Sequence, residues 1–185
     1  MYSRPIDHAP DRGWANTRFL SPAIRRLGSQ LHILDFGTGQ SRVPEQLRAE
    51  GHRVIAVDTV APDTPHPDRL VGSLWSSALG AGQFDIAFAF QVFEHLPRPV
   101  PYLHAMLRLT RTGGLVAIHT DMHVAERERV PFTDWWYVMP PLHCSFFRHA
   151  TFEYLLADTP HRIVHRTPKC VMIEKGTLGH PGYEP

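Results

Sequence analysis

Cysteine is scarce, with Cys144 and Cys170 the only two in 185 residues. A chain this long with so few cysteines is no disulfide scaffold, and a reducing cytoplasm is the expected setting. No window approaches the roughly 18 apolar residues of a membrane-spanning helix, so no membrane partner is expected. The first stretch, MYSRPIDHAPDRGW, lacks the apolar segment of a secretion signal. An excess of one charge is missing too. The formal net charge is +1, which gives no electrostatic case for a nucleic-acid partner. Internal repeats and low-complexity tracts are also absent.

What is present is a chain with 43% hydrophobic and 20% charged residues, enough for one domain with a real core. The apolar run Leu31–Phe36 reads as a strand buried on both faces, ended by Gly37, Thr38 and Gly39. Ser41 is placed to cap a helix running to Glu50, with Pro44 in the first turn and Gly51 as its stop. RVIAVD reads as a second strand ending at Asp58, and the proline-rich APDTPHPDR as loop. LVGS, Phe84–Phe90 and LVAIH read as the third, fourth and fifth strands. A helix near Val100–Thr110, stopped by Gly113-Gly114, precedes the fifth. TFEYLL follows as a short helix, and HRIVHR and KCVMIEK pair as an antiparallel hairpin around Thr167-Pro168. Strands alternating with helices mean right-handed crossovers and a mostly parallel sheet with helices on both faces. Residues 1–30 form an N-terminal cap segment, with a helical patch from Ser21 to Leu27. Residues 120–150 form a long loop, a feature that is often functional.

The stretch HILDFGTGQS, His32 to Ser41, lies where open α/β sheets bind ligands, beyond the carboxyl end of a strand. Glycine there lets backbone approach a ligand closely. Asp58 ends the next strand, 21 residues after Gly37, and suits two ribose hydroxyls. A dinucleotide fingerprint would need a third glycine, but its position holds Arg42. A pyrophosphate would also sit poorly beside the Asp35 carboxylate. S-adenosylmethionine has no phosphate and carries a sulfonium and an ammonium, so an acid before the glycines makes sense.

The ordered motifs ILDFGTGQS, VIAVD and QFDIAFAFQVFEHLPRPVPYLHAMLRLTRTGGLVAIHT resemble those of small class I S-adenosylmethionine-dependent methyltransferases over roughly residues 31–120. WWYVMPPLHCSFFRHATFEYLL resembles a later block of some bacterial members. The resemblance implies one α/β methyltransferase domain over residues 1–185, Rossmann-like, with a seven-stranded mostly parallel sheet and a C-terminal antiparallel hairpin. It implies S-adenosylmethionine as cofactor, leaving as S-adenosylhomocysteine. Asp35, Phe36, Gly37, Thr38 and Gly39 are assigned to the turn and methionine end, Asp58 to the ribose, and Phe90 and Gln91 to the cofactor's neighbourhood. Members often carry an acid after the third strand, near the adenine amino group. VGSLWS stands there instead, leaving Ser73 and Leu74 to make hydroxyl, backbone or apolar contact.

Methyl transfer is an in-line displacement that requires an aligned nucleophile and removal of its proton. His95, in the E-H-L turn after Glu94, is a candidate base or a structural histidine. His119 and His143 are further candidate bases. His119, Asp121 and His123 alternate, and with His143 and Cys144 they contain metal-ligand types, but the spacing matches no strong metal motif, so no metal is assigned. Trp135, Trp136, Tyr137, Phe146 and Phe147 make the long loop aromatic, as acceptor wall, lid or sheet cover. Trp14 and Phe19 are placed to close the other side. Phe152, Tyr154 and Leu155 read as core. The expected activity is O- or N-methylation of a small-molecule acceptor. The alternative is a cofactor-binding, non-catalytic module acting in a complex; a dehydrogenase is a distant third. Oligomeric state is not legible.

Overall fold

β1, His32–Phe36, lies inside a seven-stranded sheet, third from one edge. In the computed structural model, residues 17–61, 66–125, 129 and 131–177 are described. Trp14 and the expected cap segment before Thr17 lie outside the described residues. The other strands are β2 (Arg53–Asp58), β3 (Arg69–Val71), β4 (Phe84–Phe90), β5 (Thr110–His119), β6 (Arg162–Thr167) and β7 (Cys170–Glu174). Their order is β3-β2-β1-β4-β5-β7-β6, with β7 antiparallel to both its neighbours and the remaining pairs parallel. The chain leaves β1 toward β2 on one side, and β4 fills the other side. The strand order therefore reverses between β1 and β4, and their carboxyl ends open a crevice.

Both faces of β1 are buried because two apolar layers cover them. Leu34 and Phe36 face α3 (Pro99–Leu109) and α4 (His149–Leu156), packing with Leu103, Met106 and Phe152. Ile33 faces α1 (Ser21–Leu27) and α2 (Val43–Ala49), packing with Leu20, Ala23 and Leu47. α2 starts one residue later than a Ser41 cap would place it: Arg42 precedes the first turn and makes no side-chain cap bond, while the Ser41 hydroxyl accepts the Val43 N–H at 3.1 Å just outside the helix. Gly51, at φ +92°, turns the chain out after it. No helix among the described residues is long and apolar enough to cross a membrane.

Four expectations are corrected. β5 begins at Thr110, directly after α3, so Gly113-Gly114 lies inside the strand and does not stop the helix. The helix ends where the Thr110 hydroxyl donates to the Met106 carbonyl at 2.8 Å. Gly114 is needed because a Cβ would stand 2.7 Å from the Asp85 carbonyl oxygen on β4. The third strand spans only Arg69–Val71, leaving Gly72-Ser73 as turn. Tyr154 is 82% exposed, on the outer side of α4, whereas Phe152 is buried. Within the long loop, Phe132–Asp134 forms a 3-10 turn, Met122 bridges Phe147, and Trp135, Tyr137 and Phe147 are buried. Trp136, 62% exposed, lies on the surface and meets only the edge of the buried Tyr137 ring at 5.3 Å among the ring contacts of the described residues.

Candidate active site

The glycine turn follows β1. The Gly37 N–H donates to the Val57 carbonyl at 2.8 Å, which ties the turn to β2. Gly37 has φ +76°, and a Cβ there would stand 2.4 Å from Val92 Cγ2. Both backbone and space therefore demand glycine. The Gly39 N–H donates to Asp58 Oδ2 at 2.7 Å, and Val60 N–H to Asp58 Oδ1 at 2.9 Å. Asp58 thus closes the turn, and each of its oxygens keeps a second lone pair for a ligand hydroxyl. Arg69, on β3, donates to the Gly39 carbonyl at 3.1 Å, bonds the Ser41 carbonyl and pairs with Glu45 at 3.1 Å.

Two cavities meet at Gly37. The larger, about 320 Å³, is lined by Phe36, Gly37, Asp58, Ser73, Gln91 and His95 among others. The Phe36 ring stacks on Tyr102 at 5.4 Å, and the Trp75 ring meets Tyr102 edge-on at 4.9 Å, giving this cavity an aromatic side. The smaller, about 130 Å³, is lined by Asp35, Thr38 and Phe90. Leu74 is corrected: its side chain is fully buried in the core and lines neither cavity, and its carbonyl accepts from Arg108 at 3.1 Å. Asp35 is 2% exposed, and burial pushes its pKa up to about 7. Asp58 and Glu45 add to the rise, while Thr38 and Arg69 oppose it. A carboxylate in this position favours a cation beside it.

After β4 the chain turns at Gln91, φ +54°, whose N–H donates to the His119 carbonyl at 2.8 Å. The Gln91 amide lies 3.1 Å from His119 Nδ1 and accepts from the Tyr137 hydroxyl at 3.2 Å. The Tyr137 hydroxyl also meets Thr120 Oγ1 at 2.9 Å. His119 stacks on Phe90 at 4.4 Å and touches Phe19 at 5.1 Å. Desolvation lowers its pKa to about 4, so it is neutral near pH 7. Burial raises the Tyr137 phenol pKa, and the Glu94 carboxylate adds to that rise.

Of the three histidines singled out as bases, His95 alone lines the larger cavity. Its Nδ1 donates to the Leu142 carbonyl at 2.9 Å. A carbonyl can only accept, so the proton sits on Nδ1 and Nε2 carries the lone pair. His143, buried behind it, holds the same tautomer through the Tyr137 carbonyl at 2.7 Å. The residues weighed as metal ligands do not assemble as a group. His123 packs on Phe132 and Trp135, with Arg148 at 3.3 Å from Nδ1, and Cys144 turns its thiol to the Glu94 carbonyl at 3.6 Å. Glu94, His95 and His143 come together instead. Sequence reasoning missed Arg69, Val92 and Tyr102 as parts of this site. No periodicity marks them, because each acts through a neighbour distant in the chain.

The residues present fit a cationic, ribose-bearing cofactor: a buried acid in need of a cation, a strand-end acid and a turn with no space for a Cβ at Gly37. Residues 11–165 match the family described as methyltransferase domain. No curated protein sequence matches significantly. Among solved structures, the chain is similar to Burkholderia thailandensis 1,6-didemethyltoxoflavin-N1-methyltransferase with bound 1,6-didemethyltoxoflavin and S-adenosylhomocysteine. Identity is 20%, TM-score 0.59, with 89% of this chain and 81% of that chain covered. Human N-acetylserotonin methyltransferase with S-adenosylmethionine gives TM-score 0.65 at 13% identity, covering 90% of this chain and 52% of that one. A Haloferax volcanii complex of the Trm112 methyltransferase activator with a methyltransferase gives TM-score 0.59 at 18% identity, covering 84% and 71%. At these identities the likeness is one of fold. The chain belongs to the methyltransferase-domain family of class I S-adenosylmethionine-dependent methyltransferases.

Proposed function

We propose that residues 1–185 form one domain that binds S-adenosylmethionine in the larger cavity and methylates a small-molecule acceptor at oxygen or nitrogen. The observation that carries this reading is the Gly37 turn, where two cavities, one lined by Asp35 and the other by Asp58, share a residue with no space for a side chain. Asp58 would hold the ribose hydroxyls. Phe36, Tyr102 and Ser73 would line the adenosine side, and Asp35, with Thr38, the cationic methionine end. When bound, the cofactor supplies a methyl group made electrophilic by positive sulfur. Gln91, braced by His119 and Tyr137, orients the acceptor side. His95 offers its Nε2 lone pair to the acceptor, which orders the nucleophile and receives its proton. His119, with its lowered pKa and hydrogen-bonded ring, positions Gln91 and does not serve as base. The buried Trp135 and Tyr137 exclude water behind the site.

A small-molecule acceptor is supported by the acceptor bound in one similar structure and by the small molecule in the name of another. The unpaired Cys144 and Cys170 support a cytoplasmic setting. The second reading, a non-catalytic module acting in a complex, draws on Ser73, which supplies no carboxylate for the adenine side, and on the activator bound to one similar protein. Incubation with methyl-labelled S-adenosylmethionine and a panel of phenols, carboxylates and heteroaromatic amines separates the two. Labelled product, lost in Asp58→Ala, supports the enzyme. Cofactor binding with no labelled product across the panel supports the module.

A further inference from the structure

Glu94 is wholly buried, and neither of its carboxylate oxygens has a partner with hydrogen-bond geometry among the described residues; the Tyr137 hydroxyl is a polar group that interacts with it. A buried carboxylate left so is expensive, and such groups are normally paired or bound to metal. It sits in the 3-10 turn Phe93–His95, next to His95 and beside His143. One ligand atom from each of the three lies within 4.8 Å of the others. Both imidazoles are held in the tautomer that metal ligands adopt. Nδ1 of His95 is bonded to the Leu142 carbonyl, and Nδ1 of His143 to the Tyr137 carbonyl, so each leaves Nε2 unprotonated. The rings meet edge to face at 4.8 Å. The arrangement is braced from the loop side. Cys144 and Ser145 N–H both donate to the Glu94 carbonyl, at 2.8 and 3.1 Å, and the Ser145 hydroxyl donates to the Leu96 carbonyl at 2.6 Å. His143 is itself held by the Tyr137 ring at 4.3 Å and by its N–H to the Met139 carbonyl at 3.0 Å.

We propose that Glu94, His95 and His143 form a site for one divalent first-row transition-metal ion, with its open coordination positions on the cavity side. Two imidazoles and one carboxylate are the donor set of such ions, and three protein ligands leave room for an exogenous oxygen. Ligands about 2.1 Å from an ion stand roughly 3.0–3.4 Å apart, so from separations within 4.8 Å the set closes by no more than roughly 1.8 Å on binding. Because His95 lines the cavity read above as the methyl-donor site, the ion's open positions would take an oxygen of the acceptor. This role deepens that reading and rests on it; ion binding itself does not. With the ion bound, the His95 lone pair serves the metal, and the metal in place of the imidazole makes the acceptor oxygen acidic. The acceptor class then narrows to hydroxyl or carboxylate compounds.

Cobalt(II) alone, titrated into chelator-stripped full-length protein without cofactor, tests the site, because its visible ligand-field bands report its ligands. One saturating equivalent is expected. His95→Ala and Glu94→Gln should each weaken binding more than about tenfold, while His104→Ala, on exposed α3 surface, should not change it. Circular dichroism checks folding; if Glu94→Gln does not fold, the exposed His95→Ala variant decides. No stoichiometric binding, or a folded single-ligand variant that binds cobalt as wild type does, overturns the proposal. A protein that binds cobalt but not S-adenosylmethionine keeps the metal site and loses the methyl-transfer reading.

Discussion

Asp35 has a pKa of about 7 because burial disfavours its charge. Its unfolded value is near 3.8, so the folded protein holds the extra proton between these values. Stability from this group falls as pH rises from about 4 to 7, and the penalty is fully present above 7. A bound cation reverses the preference. S-adenosylmethionine affinity is therefore expected to rise by up to about tenfold per pH unit below 7 and to level off above it, read by calorimetry across that range. Asp35→Asn should stabilise the unliganded protein at alkaline pH by a few kcal/mol, at about 1.4 kcal/mol per pKa unit, while weakening cofactor binding. Gly37→Ala should cost roughly 2 kcal/mol or more in denaturant melts, and adding Val92→Ala should recover only the clash and leave the positive-φ strain. Asp35, Gly37 and Asp58 were legible because acid, glycines and strand-end acid follow one another in a fixed order. Val92 and Arg69 were not, since only the folded chain brings them to the turn.

Gln91, His119, Thr120 and Tyr137 join the end of β4, the end of β5 and the aromatic loop through one hydrogen-bonded chain. Tyr137→Phe removes the hydroxyl that Gln91 and Thr120 share. The expected result is a loss of about 1–2 kcal/mol in thermal unfolding and a larger fall in turnover than in cofactor affinity. Gly114→Ala would force β5 away from β4 at Asp85, and it is expected to destabilise the sheet without changing cofactor contacts, which lie at its other end. Six of the seven strands were legible to within about two residues from apolar runs and their glycine or proline ends. The start of β5 was misread because TRTGG has no apolar period, and Gly113-Gly114 looks like a helix stop until the close approach to β4 is known. Tyr154 was misread as core because a helix of eight residues has too few turns to fix its buried face from sequence.

At the scale of the molecule, two opposed proton linkages act on one fold. The lowered pKa of His119 costs stability as pH falls from about 6.5 to 4, and Asp35 costs stability as pH rises over nearly the same range. In the free protein these two slopes offset each other between about pH 4 and 6.5. Cofactor beside Asp35 removes one of them. The melting temperature of the liganded protein is therefore expected to climb more steeply with pH in that window than that of the free protein. Parallel slopes would separate Asp35 from the ligand. Asp35 lies at the crevice where strand order reverses, so the fold places a buried acid at the position where a cationic ligand can relieve it. The most direct measurement of the central claim is a calorimetric titration of S-adenosylmethionine into the purified protein at slightly alkaline pH, with Asp58→Ala alongside. One saturable site per chain, weakened more than about tenfold in the variant (about 1.4 kcal/mol), is the predicted result; no binding, or equal binding by the variant, would contradict it.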